Sequence, residues 1–219
     1  MTGISLLYPE IGLACFGLLL MLADLWIPPR HGKVLFHLAL FSAAVGLGML
    51  GLAYSDPRVY QGVGALWVVD PLSLFFKVLV LSTVILVLFL SLDYRRPSDA
   101  HLGSYCALIL FSAVGMMLLV SATDLLLIFL SLELVSISSF ILVGFERREA
   151  RSIEGALKYF IFGAFSSAVM VFGLSLVYGA TGTTQLLTPV PQLTYASSSM
   201  FLFGCMALLA GLGFKVSMA

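Results

Sequence analysis

The stretch from Asp124 to Phe145, DLLLIFLSLELVSISSFILVGF, is uncharged except for its first residue and one carboxylate, Glu133, near its middle. At about 1.5 Å of rise per residue, a helix places Glu133 roughly 13 Å from either end, close to the middle of a bilayer. A carboxylate at that depth costs on the order of several kcal/mol unless it is neutral, paired or hydrated. The stretch therefore predicts a membrane-spanning helix with a functional carboxylate whose partner lies elsewhere in the chain.

The composition of the whole chain indicates a polytopic membrane protein. Hydrophobic residues make up 61% and charged residues 10% of the sequence, and the mean hydropathy is +1.11. Soluble domains contain about 25% charged residues, so that class is excluded. The formal net charge is zero and no basic cluster occurs, so the sequence predicts no basic surface for nucleic acid binding. Cys15, Cys106 and Cys205 lie in apolar runs without metal-ligand spacing and are predicted to be packing residues.

Seven apolar segments are long enough to span, or nearly span, about 30 Å of hydrocarbon. They lie at 6–26, 33–53, 70–92, 103–121, 124–145, 154–178 and 198–219. Short connections that contain turn residues separate them, and no stretch has the composition of a soluble domain. The expected fold is an all-α membrane helix bundle. Because the last segment is followed by no polar tail, we expect the chain to be a fragment.

The distribution of basic residues predicts the orientation in the membrane. Seven basic residues fall in the first, third and fifth connections, and only Arg58 falls in the second, fourth and sixth. The seven are Arg30, Lys33, Arg95, Arg96, Arg147, Arg148 and Arg151. Basic loops remain on the cytoplasmic side. We therefore expect loops 1, 3 and 5 in the cytoplasm and the N-terminus outside.

Two of the three lysines within apolar segments have a partner available on their own helix. Lys77 lies two turns beyond Asp70, so its long side chain can reach back to that carboxylate at the outer interface. We expect this structural role for Lys77. Lys158 lies four residues after Glu154, so either a surface ion pair or a role beside Glu133 is compatible with the spacing.

Lys215 is the third lysine, and its depth depends on the geometry of the last segment. In a regular helix that starts near Ser198, Lys215 lies about 25 Å below the outer interface and can extend to the inner one. If the helix breaks after Lys215 instead, the amine lies in the membrane interior beside Glu133. The spacing alone leaves both arrangements open.

A buried acid and base of this kind suit a proton relay. Burial disfavours a charged lysine and a nearby carboxylate favours it, so a change of charge at the carboxylate loads or releases a proton at the amine. The same pattern also fits a static ion pair that locks the bundle. Four serines near Glu133 favour a hydrated site, although serine is also an ordinary packing residue in membrane helices. They are Ser131, Ser136, Ser138 and Ser139.

Three stretches resemble the antiporter-like subunits of respiratory complex I, most closely subunit N. They are LELVS at 132–136 with FILVGF at 140–145, EGALKYFIFGAFSSAVMVFGLSLVYGATGTT at 154–184, and GLGFKVS at 211–217. The resemblance implies the first half of a fourteen-helix fold with inverted repeats. It divides the chain into N-terminal helices 1–3 at 1–102 and helices 4–7 of the first repeat at 103–219. The PFHxWxPDVYxGAP stretch and the second repeat of the family are absent from this sequence.

The resemblance also implies the roles of individual residues. Glu133, Lys215 and Lys158 match a glutamate and two lysines that relay protons, while the chain itself carries out no redox step. Lys215 matches a lysine on a helix that breaks just after it, so the resemblance implies that its amine lies in the membrane interior. We therefore expect the amine and the Glu133 carboxylate within roughly 10 Å on facing helices, where their coupling is about 2 kcal/mol. NADH, FMN, iron–sulfur clusters and quinone are expected in partner subunits, so that this chain holds no cofactor or metal. The implied activity is proton translocation coupled to quinone reduction, in the inner (plasma) membrane beside other membrane-arm subunits. Homologous subunits of sodium/proton antiporters or membrane-bound hydrogenases, and a non-transporting assembly scaffold, remain alternatives.

Overall fold

The computed structural model describes residues 7–27, 32–54, 60–61, 66–92, 101–186 and 199–217. Helices dominate these ranges, and six of them are long and apolar enough to cross a membrane, while the first is shorter. The expected all-α membrane bundle is confirmed. The helices are α1 (Tyr8–Ala23), α2 (Gly32–Tyr54), α3 (Pro71–Ser91), α4 (Leu102–Ser121), α5 (Leu125–Val143), α6 (Ala150–Thr181) and α7 (Ser199–Ser217). Two short strands, β1 (Tyr60–Gln61) and β2 (Val68–Val69), pair antiparallel between α2 and α3.

Helix α6 differs most from its predicted bounds, since it begins four residues before 154 and ends three residues after 178. Its first turn is polar, so hydropathy does not predict it as part of a membrane helix. The Ser152 hydroxyl donates to the Val143 carbonyl at 2.6 Å and connects this turn to α5. Gly182, with φ +70°, ends the helix. The 32 residues of α6 extend about 48 Å, well beyond the hydrocarbon thickness. Residues 218 and 219 of the predicted last segment lie outside the described residues.

Two apolar cores hold the bundle together. The larger joins α1, α2, α3 and α4, and α4 contributes the most buried side chains. The smaller lies between α6 and α7 and is flanked by residues of α5. Helix α5 thus contacts both cores and carries Glu133 between them.

Small residues bring α6 and α7 unusually close. A Cβ added at Gly173 would lie 2.6 Å from the Leu208 amide nitrogen, so only glycine fits there. About two turns closer to the start of α6, the Ser166 hydroxyl donates to the Gly211 carbonyl at 2.8 Å. Such contacts are how membrane helices associate when lipid surrounds them. They fix the register that sets Lys215, one turn after Gly211, against the middle of α6.

Buried carboxylates fasten the ends of the helices. Asp124 caps α5 by accepting from the Leu126 and Leu127 amides at 2.9 and 3.3 Å, and it also accepts from the Thr184 hydroxyl at 2.5 Å. It therefore ties the start of α5 to the segment after α6. At the other end of the bundle, Asp24 accepts from the first amides of α4 and joins α1 to α4.

Candidate functional site

Glu133 and Lys215 form an ion pair between α5 and α7. The Lys215 ammonium donates to Oε1 of Glu133 and also lies 3.3 Å from the hydroxyl oxygen of Ser136, which accepts from it. From α6, the Ser167 hydroxyl donates to the same Oε1 at 2.5 Å. Three helices therefore supply the site, and the α6–α7 packing described above places two of its members.

The pair is largely desolvated but not sealed. The side chain of Glu133 is 22% exposed and that of Lys215 is 9% exposed. At an effective dielectric of about 20, two unit charges 4 Å apart attract by about 4 kcal/mol, so each charge strongly favours the other.

The expected proximity of Glu133 and Lys215 is confirmed, and the alternative of a lysine extending to the inner interface is wrong for this structure. Lys215 lies about 24 Å along α7 from Ser199, yet it meets a carboxylate only about 12 Å along α5 from Leu125. The depth of the site is therefore that of Glu133, in the central part of α5. The proposed role of the pair in proton transfer stays a prediction.

The four serines of α5 form hydrogen bonds within their own helix, and hydration of this face stays a prediction. All four donate to the carbonyl one turn earlier in their own helix. Ser131 and Ser138 are buried, and only Ser136 contacts the pair. Sequence reasoning missed Ser167, the residue that completes the site. The sequence feature that could have pointed to Ser167 is the polar pair Ser166 and Ser167 in the otherwise apolar middle part of α6.

Lys158 lies apart from the Glu133–Lys215 pair. It is about 13 Å along α6 from Ser167, toward the start of the helix. Its ammonium pairs with Glu154 one turn earlier, and both side chains are more than 60% exposed in this chain. The structure thus has the surface pair that the spacing allowed. A relay role for Lys158 stays a prediction.

The predicted partner of Lys77, Asp70, is wrong. Its ammonium lies 2.7 Å from Oε1 of Glu10 on α1, and the two side chains are only 1% and 2% exposed. Asp70, the expected partner, instead caps α3 by accepting from the Ser73 amide at 2.7 Å. Neither carboxylate oxygen of Glu10 forms a hydrogen bond of good geometry within the described residues. The site is therefore a close but imperfectly satisfied second ion pair, buried between α1 and α3.

Metal-binding side chains do not gather in the part of the chain that the structure describes, where no three His, Cys, Asp or Glu residues come together. Cys15, Cys106 and Cys205 each lie on a different helix and are not disulfide-bonded to one another. His101 begins α4 with a left-handed backbone, φ +70°, and His37 bonds within α2.

Comparison with known proteins shows which proteins this chain is similar to. A family model described as NADH:quinone oxidoreductase/Mrp antiporter, TM, matches residues 122–219, which include Glu133 and Lys215. NADH-quinone oxidoreductase subunit N 2 of Koribacter versatilis is 40% identical over 96% of this chain and 44% of its own length. The F(420)H(2) dehydrogenase subunit N of Methanosarcina mazei is 37% identical over 100% of this chain and 45% of its own length.

A solved structure gives the same result for the fold. One chain in respiratory complex I from Thermus thermophilus with bound aureothin superposes with a TM-score of 0.73 and 30% identity, over 94% of this chain and 43% of that one. The chain thus spans less than half the length of the relatives it matches. Over nearly its whole length the chain is similar to antiporter-like membrane subunits of this kind, and both relatives named above are subunit N proteins.

Proposed function

We propose that this chain is part of a proton-translocating membrane-arm subunit of an NADH:quinone oxidoreductase. The observation that carries the proposal is the Glu133–Lys215 pair, which three helices hold in the central part of the bundle. A static lock would be better served by a fully enclosed pair, whereas the 22% exposure of Glu133 leaves one side open to exchange. Relatives named as subunit N match nearly the whole chain, and this supports a redox-coupled complex over an antiporter.

In the proposed relay, the Glu133 charge sets the proton affinity of Lys215. While Glu133 is ionised, its charge attracts the ammonium group of Lys215, and loss of that charge lets the proton move on. Ser167 holds Oε1 in place, so that the carboxylate keeps one orientation as the charge changes. Lys158, at the start of α6, is proposed to pass protons between this pair and the cytoplasmic side.

The surrounding assembly is part of the same proposal. NADH, FMN, iron–sulfur clusters and quinone belong to partner subunits, and other antiporter-like subunits carry parallel relays. Residues 1–102 form an N-terminal unit, and residues 103–219 form helices 4–7 of the first repeat. The protein lies in the inner (plasma) membrane with its N-terminus outside and with loops 1, 3 and 5 in the cytoplasm.

Replacing Glu133 with glutamine is expected to lower proton pumping more than it lowers assembly. Glutamine keeps the shape of the side chain and removes the charge that acts on Lys215. The effect on the whole complex is partial because the other antiporter-like subunits continue to pump. The measurement is the proton-to-electron ratio of vesicles that contain the full-length variant, together with the amount of assembled complex.

Glu149→Gln is the matched control, since Glu149 is exposed and its side chain makes no capping bond at the start of α6. It should pump at the parental ratio. If Glu133→Gln assembles and pumps at that same ratio, Glu133 has only a structural role and the proposed relay is wrong.

The orientation predicts which side of the membrane reaches introduced cysteines. In a background without the native cysteines, thiols at Ser98 and Ser152 are expected to react with an impermeant reagent only from the cytoplasm, and one at Thr183 only from outside. Ser98 lies outside the described residues, while Ser152 and Thr183 lie at opposite ends of α6. Labelling at Thr183 from the cytoplasm alone would reverse the orientation.

A further inference from the structure

A cavity of about 510 Å³ lies at the end of the bundle where α1 and α5 end and α4 begins. It is separate from the Glu133 site, which lies about 12 Å away along α5 from Ile141, the nearest cavity residue on that helix. The volume falls in the range of ligand sites, about 300–1,000 Å³. None of the residues assigned above to proton transfer lines it.

Basic side chains line the rim of the cavity. Arg147 and Arg148 project from the turn after α5, and His101 stands at the start of α4 with its side chain 70% exposed. Within the described residues, neither guanidinium has a carboxylate partner at ion-pair distance. Glu146 is the one acid in the lining, and Asp24 lies 3.6 Å from the His101 ring. The two arginines are therefore available to an anion.

Asp24 does not compete for these arginines. Its carboxylate accepts from the Gly103 amide at 2.9 Å, the Ser104 amide at 3.2 Å and the Ser104 hydroxyl at 2.7 Å. The positive end of the α4 dipole thus already compensates this charge. The rim retains the two guanidinium groups, which suit the oxygens of a phosphodiester.

The floor of the cavity is apolar and reaches into the membrane. Leu108 lies about 9 Å along α4 from Leu102, below the polar rim. Met21 and Ile141 also line the floor and are 48% and 47% exposed, so that the floor opens at the apolar surface of the helices. A free anion gains nothing from this floor, whereas a molecule with a charged head and a hydrocarbon tail contacts both parts.

We propose that this cavity binds one anionic phospholipid, with its phosphodiester on Arg147 and Arg148 and an acyl chain along Met21, Leu108 and Ile141. Basic pockets between membrane helices bind anionic head groups through this chemistry. The bound lipid would join the α5–α6 turn to the ends of α1 and α4. The inference requires only that the chain spans a membrane and does not depend on proton transfer at Glu133.

The test uses the full-length protein in its assembled complex, placed in phosphatidylcholine vesicles with a rising fraction of phosphatidylglycerol that carries a photoreactive acyl chain. Crosslinks are mapped by mass spectrometry and are expected on Met21, Leu108 or Ile141. The variant R147Q/R148Q should raise the half-saturating fraction of phosphatidylglycerol roughly tenfold to thirtyfold, the loss expected for two basic side chains. Arg151→Gln should leave the half-saturating fraction unchanged. It removes the same charge per residue, at an exposed position outside the cavity.

Four results would overturn the inference. The first is an equal shift of the half-saturating fraction in R147Q/R148Q and in Arg151→Gln, which would mean general surface attraction. The second is equal crosslinking by photoreactive phosphatidylcholine. The third is no crosslinking by either lipid, which would mean that a protein segment fills the cavity. The fourth is competition by soluble glycerol phosphate at matched concentration, which would indicate a site for free anions. Ile141→Ser separately tests the floor, and it should weaken long-chain lipid more than a short-chain analogue.

Discussion

Replacing Lys215 with alanine in the full-length protein is expected to stop most of the proton transfer through this subunit. The change removes the one amine that contacts Glu133 in the described structure. It leaves the carboxylate with the Ser167 hydroxyl as its remaining donor among the described residues, so no amine is left to take part in the charge step of the relay. The readout is the proton-to-electron ratio of vesicles, which should fall by this subunit's share while electron transfer continues more slowly.

Two controls separate the relay from a general effect of charge. Lys33→Ala removes an exposed lysine at the start of α2 and should pump normally. Lys215→Arg keeps a cation but not a readily released proton, so it should assemble well and pump poorly. The double variant of Glu133→Gln and Lys215→Ala should be no worse than Lys215→Ala alone, because the two residues act as a unit. Parental pumping by Lys215→Ala would refute the relay.

Replacing Lys77 with methionine is expected to destabilise the protein strongly without acting on proton transfer directly. The change leaves Glu10 as an uncompensated carboxylate in an apolar site, where its side chain is 2% exposed. Loss of one partner of a buried pair costs about 3–5 kcal/mol. We therefore expect less of the full-length chain in the membrane and a lower thermal midpoint of the purified complex.

The control for Lys77 uses both partners. The double variant of Glu10→Gln and Lys77→Met removes both charges and should recover most of the stability, because a neutral pair of similar volume avoids the desolvation cost. Lys33→Met, at an exposed lysine, should change little. If Lys77→Met is as stable as the parent, the pair does not fasten α1 to α3. If the stable double variant fails to pump, the pair takes part in transport.

The number of membrane helices and the depth of Glu133 follow from the sequence alone. An apolar run long enough to span the hydrocarbon must form a helix, because lipid offers no partner to its backbone amides and carbonyls. The length and hydropathy of each run can be read along the sequence, without knowledge of its neighbours in the fold. It explains why α5 was predicted within two residues of its observed bounds, while the polar ends of α6 were not.

The partners of the buried charges were decided only by the tertiary structure. Lys77 had Asp70 close by in sequence, yet a helix cap holds that carboxylate and the true partner, Glu10, lies on another helix. Ser167 entered the site because glycine contacts fix how α6 meets α7.

Helical periodicity tells which side chains share a face, but lipid is as apolar as the side chains and does not select which face turns inward. Close packing of small residues and interhelical hydrogen bonds make that selection, and both are properties of the assembled bundle. The depth of Glu133 was therefore readable from one segment. Its contacts with Lys215 and Ser167 required the crossing of three helices.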